Sequence, residues 1–278
     1  MIKKLTALFA LSVLSVNANA AMSVGGIFKQ GGLIAITYDE TETSKITVND
    51  KAISLDGDGF EYVPLNRKDT KLVVNQTLKS GKVISKTYDV TKQSYKVQHV
   101  KGVKKKHVTP DPKHLERIRG ESKQIKDARK GNIEKYFDTL LPEFATPSEG
   151  IVTGVYGSSR TYNGQERSWH KGLDLANKEG TPIINPLKGK VVLAMKDSYF
   201  NGNLVIIDHG KKIYSIYAHM YDIIAEKGQI LEVGDPIGLV GSTGRSTGPH
   251  LHWGVYVGQQ AIDPEFFLKD AKDLKKDK

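Results

Sequence analysis

Two short motifs in the C-terminal half of the chain carry groups that bind metal ions in proteins. Five of the eight histidines lie after residue 169: His170, His209, His219, His250 and His252. Asp174 follows His170 by four residues in the stretch WHKGLDLA, and His250 and His252 flank one leucine in HLHWGVYV. The chain has no cysteine, and imidazole with one carboxylate suits zinc best among the common metals. The combination therefore indicates a zinc site.

The even spacing within each motif places its polar groups on one face of an extended segment. Side chains alternate between the two faces of a strand, so His170 and Asp174 point the same way, with Gly172 leaving room between them. The same rule puts His250 and His252 on one face of the second motif. The opposite face of that motif is apolar: Leu251, Trp253, Val255 and Val257. The side chains of His250 and His252 are therefore expected to point into the same space.

The number of candidate ligands exceeds what one site needs. A catalytic zinc site takes three protein ligands and keeps an open position, whereas Asp174 and the five late histidines make six candidates. His209 follows a run of apolar residues in NLVIIDHG that we expect to be buried, so we expect a structural role for it. Histidines left over near the metal would act on an attacking water or on the developing oxyanion. Spacing alone leaves open which histidine is ligand and which is catalyst.

Strand signals surround these motifs and predict an all-β region from about residue 150 onward. Six apolar stretches are punctuated by glycines: GIVTGVYG, GKVVLAM, NLVIIDHG, YSIYAHM, PIGLVG and HLHWGVYV. Long helical patterns are absent from this part of the sequence. The histidine motifs are therefore expected on strands and on the loops that join them.

Residues 21–100 contain a second group of strand signals. The candidates are seven short stretches separated by hairpin and loop residues: GLIAITY, SKITVN, KAISL, FEYVPL, KLVVNQTL, KVISKTYDV and YKVQHV. About seven strands in about 80 residues predict a small β-sandwich. His99 is isolated here, and we expect it to be a surface or filler residue.

A basic, partly helical linker is predicted over 101–145. Asp111 before Pro112 is typical of an N-cap with proline in the first helical position, and apolar residues at helical spacing extend the predicted helix over 112–130. Its apolar stripe is narrow, which favours a connector over a partner-binding helix. Residues 132–144 are ambiguous between helix and strand.

The first 20 residues have the organisation of a cleavable signal peptide. Lys3 and Lys4 precede an apolar stretch over 5–16, and small residues at 18 and 20 supply a cleavage pattern. That stretch is short for a bilayer span. We therefore predict a signal peptide over 1–20, export to the periplasm or beyond, and no integral membrane span in the mature chain.

Charge and cysteine content narrow the range of partners and chemistries. Cleavage would remove two lysines and no acidic residue, so the net charge would fall from +10 to +8. A basic exported protein suits anionic envelope polymers. Nucleic acid is not expected as a partner, because the lysines are spread out and no recognition motif accompanies them. The lack of cysteine excludes disulfides and a thiol nucleophile.

At the histidine motifs the sequence resembles the lysostaphin-type zinc metallopeptidases, the peptidoglycan endopeptidases with the LytM domain. The order and spacing of three motifs fit this family: HKGLD, YAHM and TGPHLHWGVYV. The likeness extends over about 146–268 and includes VTGVYG, NGNLVIIDHG and AIDPEFF. Met220 stands where leucine is usual, a volume-conserving change. The region before 146 is similar, more loosely, to the N-terminal part of exported Gram-negative members.

The resemblance implies a fold and a division of roles. The fold is an antiparallel β-sheet groove whose floor carries one Zn²⁺. His170, Asp174 and His252 would bind the zinc, and His219 and His250 would be the catalytic pair. No motif residue is missing.

Three further residues precede the first motif and are candidates to line the groove. They are Arg160, Tyr162 and Glu166. For Glu166 we expect a solvated loop residue rather than a base. The segments expected overall are a signal peptide (1–20), a β-rich N-terminal domain (21–100), the linker (101–145), a LytM-type metallopeptidase domain (146–268) and a Lys/Asp-rich tail (269–278).

The function that the resemblance implies is hydrolysis of peptide cross-links in peptidoglycan by a zinc endopeptidase. A Gram-negative setting would favour the bond from D-Ala to meso-diaminopimelate. Two alternatives stay open: a non-catalytic module that binds the wall or activates amidases, and a secreted protease that acts on Gly-rich peptides. The intact motif set argues against the first.

Overall fold

The computed structural model describes residues 21–131, 135–137, 139–271 and 274–276. The predicted signal peptide over 1–20 and part of the ambiguous segment over 132–144 lie outside the described residues. Strands dominate the described part, with helices in the linker and a short 3-10 helix near the C-terminus. The predicted all-β class with a helical linker is confirmed. None of the described helices combines the length and the apolar character needed to cross a membrane.

The N-terminal region folds as two small antiparallel sheets packed on one core. Its strands are β1 (Ser23–Gly26), β2 (Leu33–Thr37), β3 (Thr43–Val48), β4 (Lys51–Ala52), β5 (Phe60–Pro64), β6 (Lys71–Leu78) and β7 (Val83–Asp89). The sheets are ordered β1-β2-β5 and β4-β3-β6-β7. Alternating apolar residues of both sheets meet in one cluster, for example Ile34 and Ile36 from β2 with Leu72 from β6. This arrangement is the predicted β-sandwich.

One more strand, β8 (Val97–Val100), precedes the linker. The linker itself contains short helical elements: α1 (Lys105–Val108), a 3-10 turn (Pro112–His114) and α2 (Leu115–Asp127). The Asp111 side chain accepts a hydrogen bond from the Lys113 backbone N–H at 3.0 Å, with Pro112 in the first helical position. The predicted cap and helix are therefore confirmed, and regular helix ends at Asp127.

The C-terminal region is built almost wholly from strands. They are β9 (Ile151–Gly154), β10 (Ser159–Tyr162), β11 (Gln165–Arg167), β12 (Leu173–Ala176), β13 (Pro182–Ile184), β14 (Gly189–Ser198), β15 (Gly202–Gly210), β16 (Ile213–Met220), β17 (Asp222–Ile223), β18 (Ile230–Leu231), β19 (Pro236–Leu239), β20 (His250–Val257), β21 (Gln260–Ile262) and β22 (Lys275–Lys276). Each of the six predicted apolar stretches contributes a strand.

One large sheet carries the histidine motifs. Its order is β18-β14-β15-β16-β20-β12-β9-β22, with β21 beside β20. All pairs are antiparallel except β9 with β22. The alternation on β20 matches the expectation, because Leu251, Trp253 and Val255 are fully buried while His250 and His252 are partly exposed on the other face. Burial of each large apolar side chain contributes roughly 1.5–3 kcal/mol to folding, which fixes the register of this strand.

The strand β8 does not belong to the sandwich in which the sequence analysis placed it. It pairs in parallel with β10, so Gln98 lies opposite Arg160. Residues 97–100 therefore extend a small sheet ordered β11-β10-β8 beside the large one. Periodicity showed that this stretch is extended, but it carried no information about the pairing partner.

The sandwich packs directly against the C-terminal region. Its Leu33 and Tyr62 join the same apolar cluster as Trp253 of β20. Ion pairs flank this contact, including Lys212 Nζ with Asp56 Oδ1 at 2.9 Å. The linker and both β regions thus share one continuous packed structure.

Candidate active site and metal centre

Strand pairing brings the two predicted motifs together. β12 pairs antiparallel with β20, and in this register Asp174 lies directly opposite His252. β16 flanks β20 on its other side with Ala218 opposite His252, which places His219 next to the doublet. His170 lies in the loop just before β12. All five predicted site residues therefore line one cleft of about 780 Å³.

His170, Asp174 and His252 form a compact triangle of metal-ligating atoms. His170 Nε2 lies 2.9 Å from Asp174 Oδ1 and 2.9 Å from His252 Nδ1, and His252 Nδ1 lies 2.8 Å from Asp174 Oδ1. Two imidazole nitrogens and one carboxylate oxygen are a donor set typical of catalytic zinc. Ligands around tetrahedral zinc stand about 3.3 Å apart, so outward shifts of a few tenths of an ångström would admit the ion.

Hydrogen bonds and charge hold the triangle in the protonation state that a metal requires. His170 Nδ1 donates to the Val155 carbonyl at 3.1 Å, which leaves Nε2 unprotonated in the neutral ring. Burial lowers the pKa of His170 to about 4. Burial raises the pKa of Asp174, but His170, His252 and Arg160 outweigh it and hold that pKa well below its usual range. Neutral imidazole and ionised carboxylate are the forms that bind zinc.

His219 occupies a strained backbone position at the end of β16. Its φ is 66°, in the left-handed region that non-glycine residues rarely adopt. Its backbone N–H donates to the Asn201 carbonyl at 2.8 Å, and its Nδ1 donates to the Thr243 carbonyl at 2.9 Å. Burial, together with His250 and His252, lowers the pKa of His219 well below its usual value. Strain of about 1–3 kcal/mol at one residue is a recurrent feature of functional sites.

His250 is the first residue of β20 and stands beside His219. The ring centroids of these two residues are 4.9 Å apart, and the His219 and His252 centroids are 6.1 Å apart. His250 Nδ1 donates to the Gly248 carbonyl at 2.9 Å. Because both His219 and His250 use Nδ1 to donate to a carbonyl, each neutral ring has its free lone pair on Nε2.

Two of the three residues proposed from sequence to line the groove do so. Arg160 and Tyr162 face the cleft, and the Arg160 Nη2 donates to Asp174 Oδ2. The Arg245 guanidinium lies 5.0 Å from the Tyr162 ring centroid and 4.6 Å from that of Phe200, so it joins the two walls. Glu166 is exposed, as expected, but it lies in the short strand β11 and not in a loop, and it is not among the residues that line the cleft.

Part of the cleft wall comes from β8 and the residues after it, which motif reasoning missed. Gln98, Val100 and Val103 line the cleft. No chemical motif marks these residues in the sequence, so only the pairing of β8 with β10 reveals them. His99 is exposed, as predicted, and its Nδ1 lies 2.9 Å from the Thr161 hydroxyl at the cleft margin.

His209 is a structural residue, in agreement with the prediction. Its ring is fully buried. Its Nδ1 donates to the Lys188 carbonyl at 2.9 Å, and its Nε2 accepts from the Ser215 hydroxyl at 2.7 Å. Both ring nitrogens are therefore satisfied away from the cleft.

Comparison with known proteins identifies the region that contains these residues. Residues 168–264 match the model of peptidase family M23. The peptidoglycan DD-endopeptidase ShyA of Vibrio cholerae is 43% identical over 94 residues, which are 34% of this chain and 22% of ShyA. The murein hydrolase activator NlpD of Escherichia coli is 33% identical over 130 residues, which are 47% of this chain and 32% of NlpD. The matches thus span about a fifth to a third of these relatives.

A solved structure shares the fold over most of the chain. The crystal structure of an M23 peptidase from Pseudomonas aeruginosa superposes with a TM-score of 0.61 at 24% identity, covering 86% of this chain and 94% of that chain. This coverage includes much of the N-terminal region, so the likeness in fold extends beyond the residues that carry the motifs. Residues 168–264 of this chain are thus a peptidase family M23 domain of the LytM type, as the histidine motifs predict.

Proposed function

We propose that this protein is a zinc-dependent endopeptidase that hydrolyses peptide cross-links of peptidoglycan, with the bond from D-Ala to meso-diaminopimelate as its target. The observation that carries the proposal is the convergence of five groups in one cleft: His170, Asp174, His219, His250 and His252. Three of them offer a complete ligand set and two stand ready for proton transfer. The DD-endopeptidase relatives support the substrate class.

In this proposal His170, Asp174 and His252 hold the zinc. The bound ion would supply Lewis-acid chemistry, polarising the scissile carbonyl and acidifying a water. The ligands themselves keep the donor atoms together, because Asp174 lies opposite His252 across paired strands and His170 is fixed through its bond to the Val155 carbonyl.

His219 and His250 would handle the proton and the oxyanion. Each ring presents Nε2 as the free lone pair, since each Nδ1 donates to a carbonyl. One Nε2 would accept the proton of the attacking water and later deliver it to the leaving amine. The other ring would donate to the developing oxyanion as an imidazolium, with a second proton on Nε2, because its Nδ1–H is already given to a carbonyl. Positioned acid–base groups of this kind contribute about 10²–10⁴-fold to rate.

The charge of the cleft suits acidic peptide stems. Its lining includes Arg160, Lys171 and Arg245, whereas Asp174 is the single carboxylate among the residues that line it in the described part of the chain. Peptidoglycan stems carry free carboxylates, which a positive cleft attracts. Export to the periplasm belongs to the same proposal and rests on the sequence of residues 1–20.

Activation of a separate amidase is the second candidate function, favoured by the 130-residue match to NlpD. An activator needs no turnover of its own and therefore no ordered ligand set. Under the endopeptidase proposal, the purified mature chain releases cross-link cleavage products from sacculi, as identified by mass spectrometry of muropeptides. Chelation should abolish release and added zinc should restore it.

Two controls separate the alternatives in the same experiment. An activator would leave sacculi intact by itself but would accelerate their digestion by an added amidase. A protease for Gly-rich proteins would cut oligoglycine peptides in parallel assays and leave the sacculi untouched. Digestion of sacculi that persists unchanged after complete removal of the metal would contradict the zinc endopeptidase proposal.

A further inference from the structure

The Asp174 carboxylate uses its two oxygens for different partners. Oδ1 faces the His170 and His252 nitrogens, at 2.9 and 2.8 Å. Oδ2 points the other way and accepts from Arg160 Nη2. The Arg160 and Asp174 side chains are only 15% and 8% exposed, so water screens this ion pair weakly.

Arg160, which precedes the residues that match family M23, is itself fixed by a residue of β8. Its Nε donates to Gln98 Oε1 at 3.0 Å, and Gln98 Nε2 donates to the Thr153 carbonyl at 3.0 Å. Gln98 lies on β8, directly opposite Arg160 in the parallel pairing with β10. A guanidinium presents Nε–H and Nη2–H side by side in one plane. In Arg160 the Nε–H donates to Gln98 and the Nη2–H donates to Asp174.

The backbone leaves room for this contact. Gly154 on β9 pairs with Asp174 on β12. A Cβ at Gly154 would lie 2.6 Å from Arg160 Nη2 and 2.9 Å from Asp174 Cγ, closer than real Cβ atoms approach. A side chain at this position would therefore push the carboxylate and the guanidinium apart.

We infer that Arg160, held by Gln98, is a positioning residue that fixes the Asp174 carboxylate so that a single oxygen faces the metal. This inference rests on the proposed zinc site. Arg160 has no lone pair to offer a metal, so it occupies Oδ2 and leaves Oδ1 for the ion. It also makes β8, which precedes the linker, a functional part of the site, although β8 lies about 70 residues before the first ligand motif in the sequence.

A simple stabilising ion pair is the competing explanation, and metal binding separates the two. Loss of an ordinary buried pair lowers stability with or without zinc, whereas loss of a positioning contact weakens the zinc complex specifically. Outer-shell partners of metal ligands typically change affinity by about 10–100-fold when removed.

The test compares four variants of the mature chain: Arg160→Gln, Arg160→Lys, Gln98→Ala and, as a control, Val97→Ala. Val97 precedes Gln98 on β8 and is 59% exposed. Zinc affinity is measured on the metal-free proteins by competition with a chromophoric chelator, and thermal unfolding of the metal-free proteins reports on folding. Visible spectra of the cobalt-substituted proteins report on coordination.

Arg160→Gln should raise the zinc dissociation constant by about 10–100-fold and alter the cobalt spectrum. Gln98→Ala should change the zinc dissociation constant and the cobalt spectrum in the same direction but to a smaller extent, because Arg160 remains and loses only its hydrogen bond to Gln98. The zinc dissociation constant of Arg160→Lys should lie between those of Arg160→Gln and Gln98→Ala, since an ammonium keeps the positive charge but cannot donate to Gln98 and Asp174 in the same planar geometry. Val97→Ala should match the wild type. At saturating zinc, kcat should fall in the Arg160 variants with little change in KM.

Wild-type zinc affinity and an unchanged cobalt spectrum in a folded Arg160→Gln protein would overturn the inference. If Arg160→Gln does not fold without metal, Gln98→Ala decides by the same two measurements. A wild-type chain that binds no zinc would overturn the proposed function itself. A wild type that binds zinc and cuts sacculi, beside variants that do so equally, would overturn only the role of Arg160 and Gln98.

Discussion

His219 and His250 lie side by side with their ring centroids 4.9 Å apart, and each donates its Nδ1–H to a backbone carbonyl. Neither bond involves His170, Asp174 or His252, whose nitrogens and carboxylate oxygen meet one another instead. The five groups thus separate into three that could hold a metal ion and a pair whose Nδ1 atoms both donate to backbone carbonyls. That separation can be tested one residue at a time.

His250→Ala should keep zinc and lose turnover. The three ligating atoms stay in place, while one proton-handling group disappears, so kcat should fall by about 10²–10⁴-fold. Zinc content after dialysis and the rate of sacculus digestion measure the two effects. His114→Ala is a matched control, because His114 does not line the cleft and its removal should leave both quantities unchanged.

His252→Ala should lose the metal. His252 Nδ1 is one of the three proposed ligating atoms, and it also bonds Asp174 Oδ1 at 2.8 Å, so its removal would leave an incomplete site. The zinc dissociation constant should rise by at least about 100-fold, and added zinc should restore little activity. Equal zinc loss in the His250 and His252 variants would show that the division of labour between them is wrong.

Local chemistry in the sequence was enough to predict which histidines point into one cleft, because period-2 alternation fixes which side chains of a strand share a face. His250 and His252 share a face of β20, and Leu251 and Trp253 fill the core, as the pattern predicts. The family resemblance then assigned separate roles to the two histidines, an assignment that spacing alone left open.

The pairing of strands that are distant in the sequence could not be predicted from such local patterns. No local pattern indicates that Gln98 would lie opposite Arg160, because register and partner choice depend on contacts between distant segments. For the same reason β8 was assigned to the wrong sheet. β1 was missed because two of its four residues are glycine, which weakens the strand signal.

Gly172→Ala should disturb the ligand set through packing. A Cβ at this position would lie 3.0 Å from both Gly254 Cα and His252 Cε1 and would overlap the Trp253 carbonyl. The backbone of β20 would have to move to make room for this Cβ, so we expect a loss of roughly 1–3 kcal/mol in unfolding free energy and weaker zinc binding. Gly25→Ala is the control, because a Cβ at Gly25 meets nothing within 4 Å. Chemical denaturation of both variants gives the comparison, and equal stability would contradict the packing argument.

Asp208→Asn should stabilise the protein at neutral pH and lose that advantage in acid. Asp208 is fully buried, its Oδ1 accepts from the Gly210 N–H at 2.8 Å, and its Oδ2 has no hydrogen-bond partner among the described residues. Burial raises its pKa from 3.8 to about 6. Because the folded state holds this proton more tightly than the unfolded state, wild-type stability falls as pH rises from about 4 to about 6.

Asparagine keeps the Oδ1 acceptor and carries no charge, so the variant should escape that loss. Its free energy of unfolding should exceed that of the wild type by roughly 1–3 kcal/mol above pH 7, and the difference should shrink towards zero near pH 4. Urea unfolding at pH 4, 6 and 8 measures the trend, with Asp50→Asn as the control for an exposed carboxylate. A gain that is the same at all three pH values would show that the buried charge of Asp208 is not its cause, since only ionisation makes the penalty depend on pH.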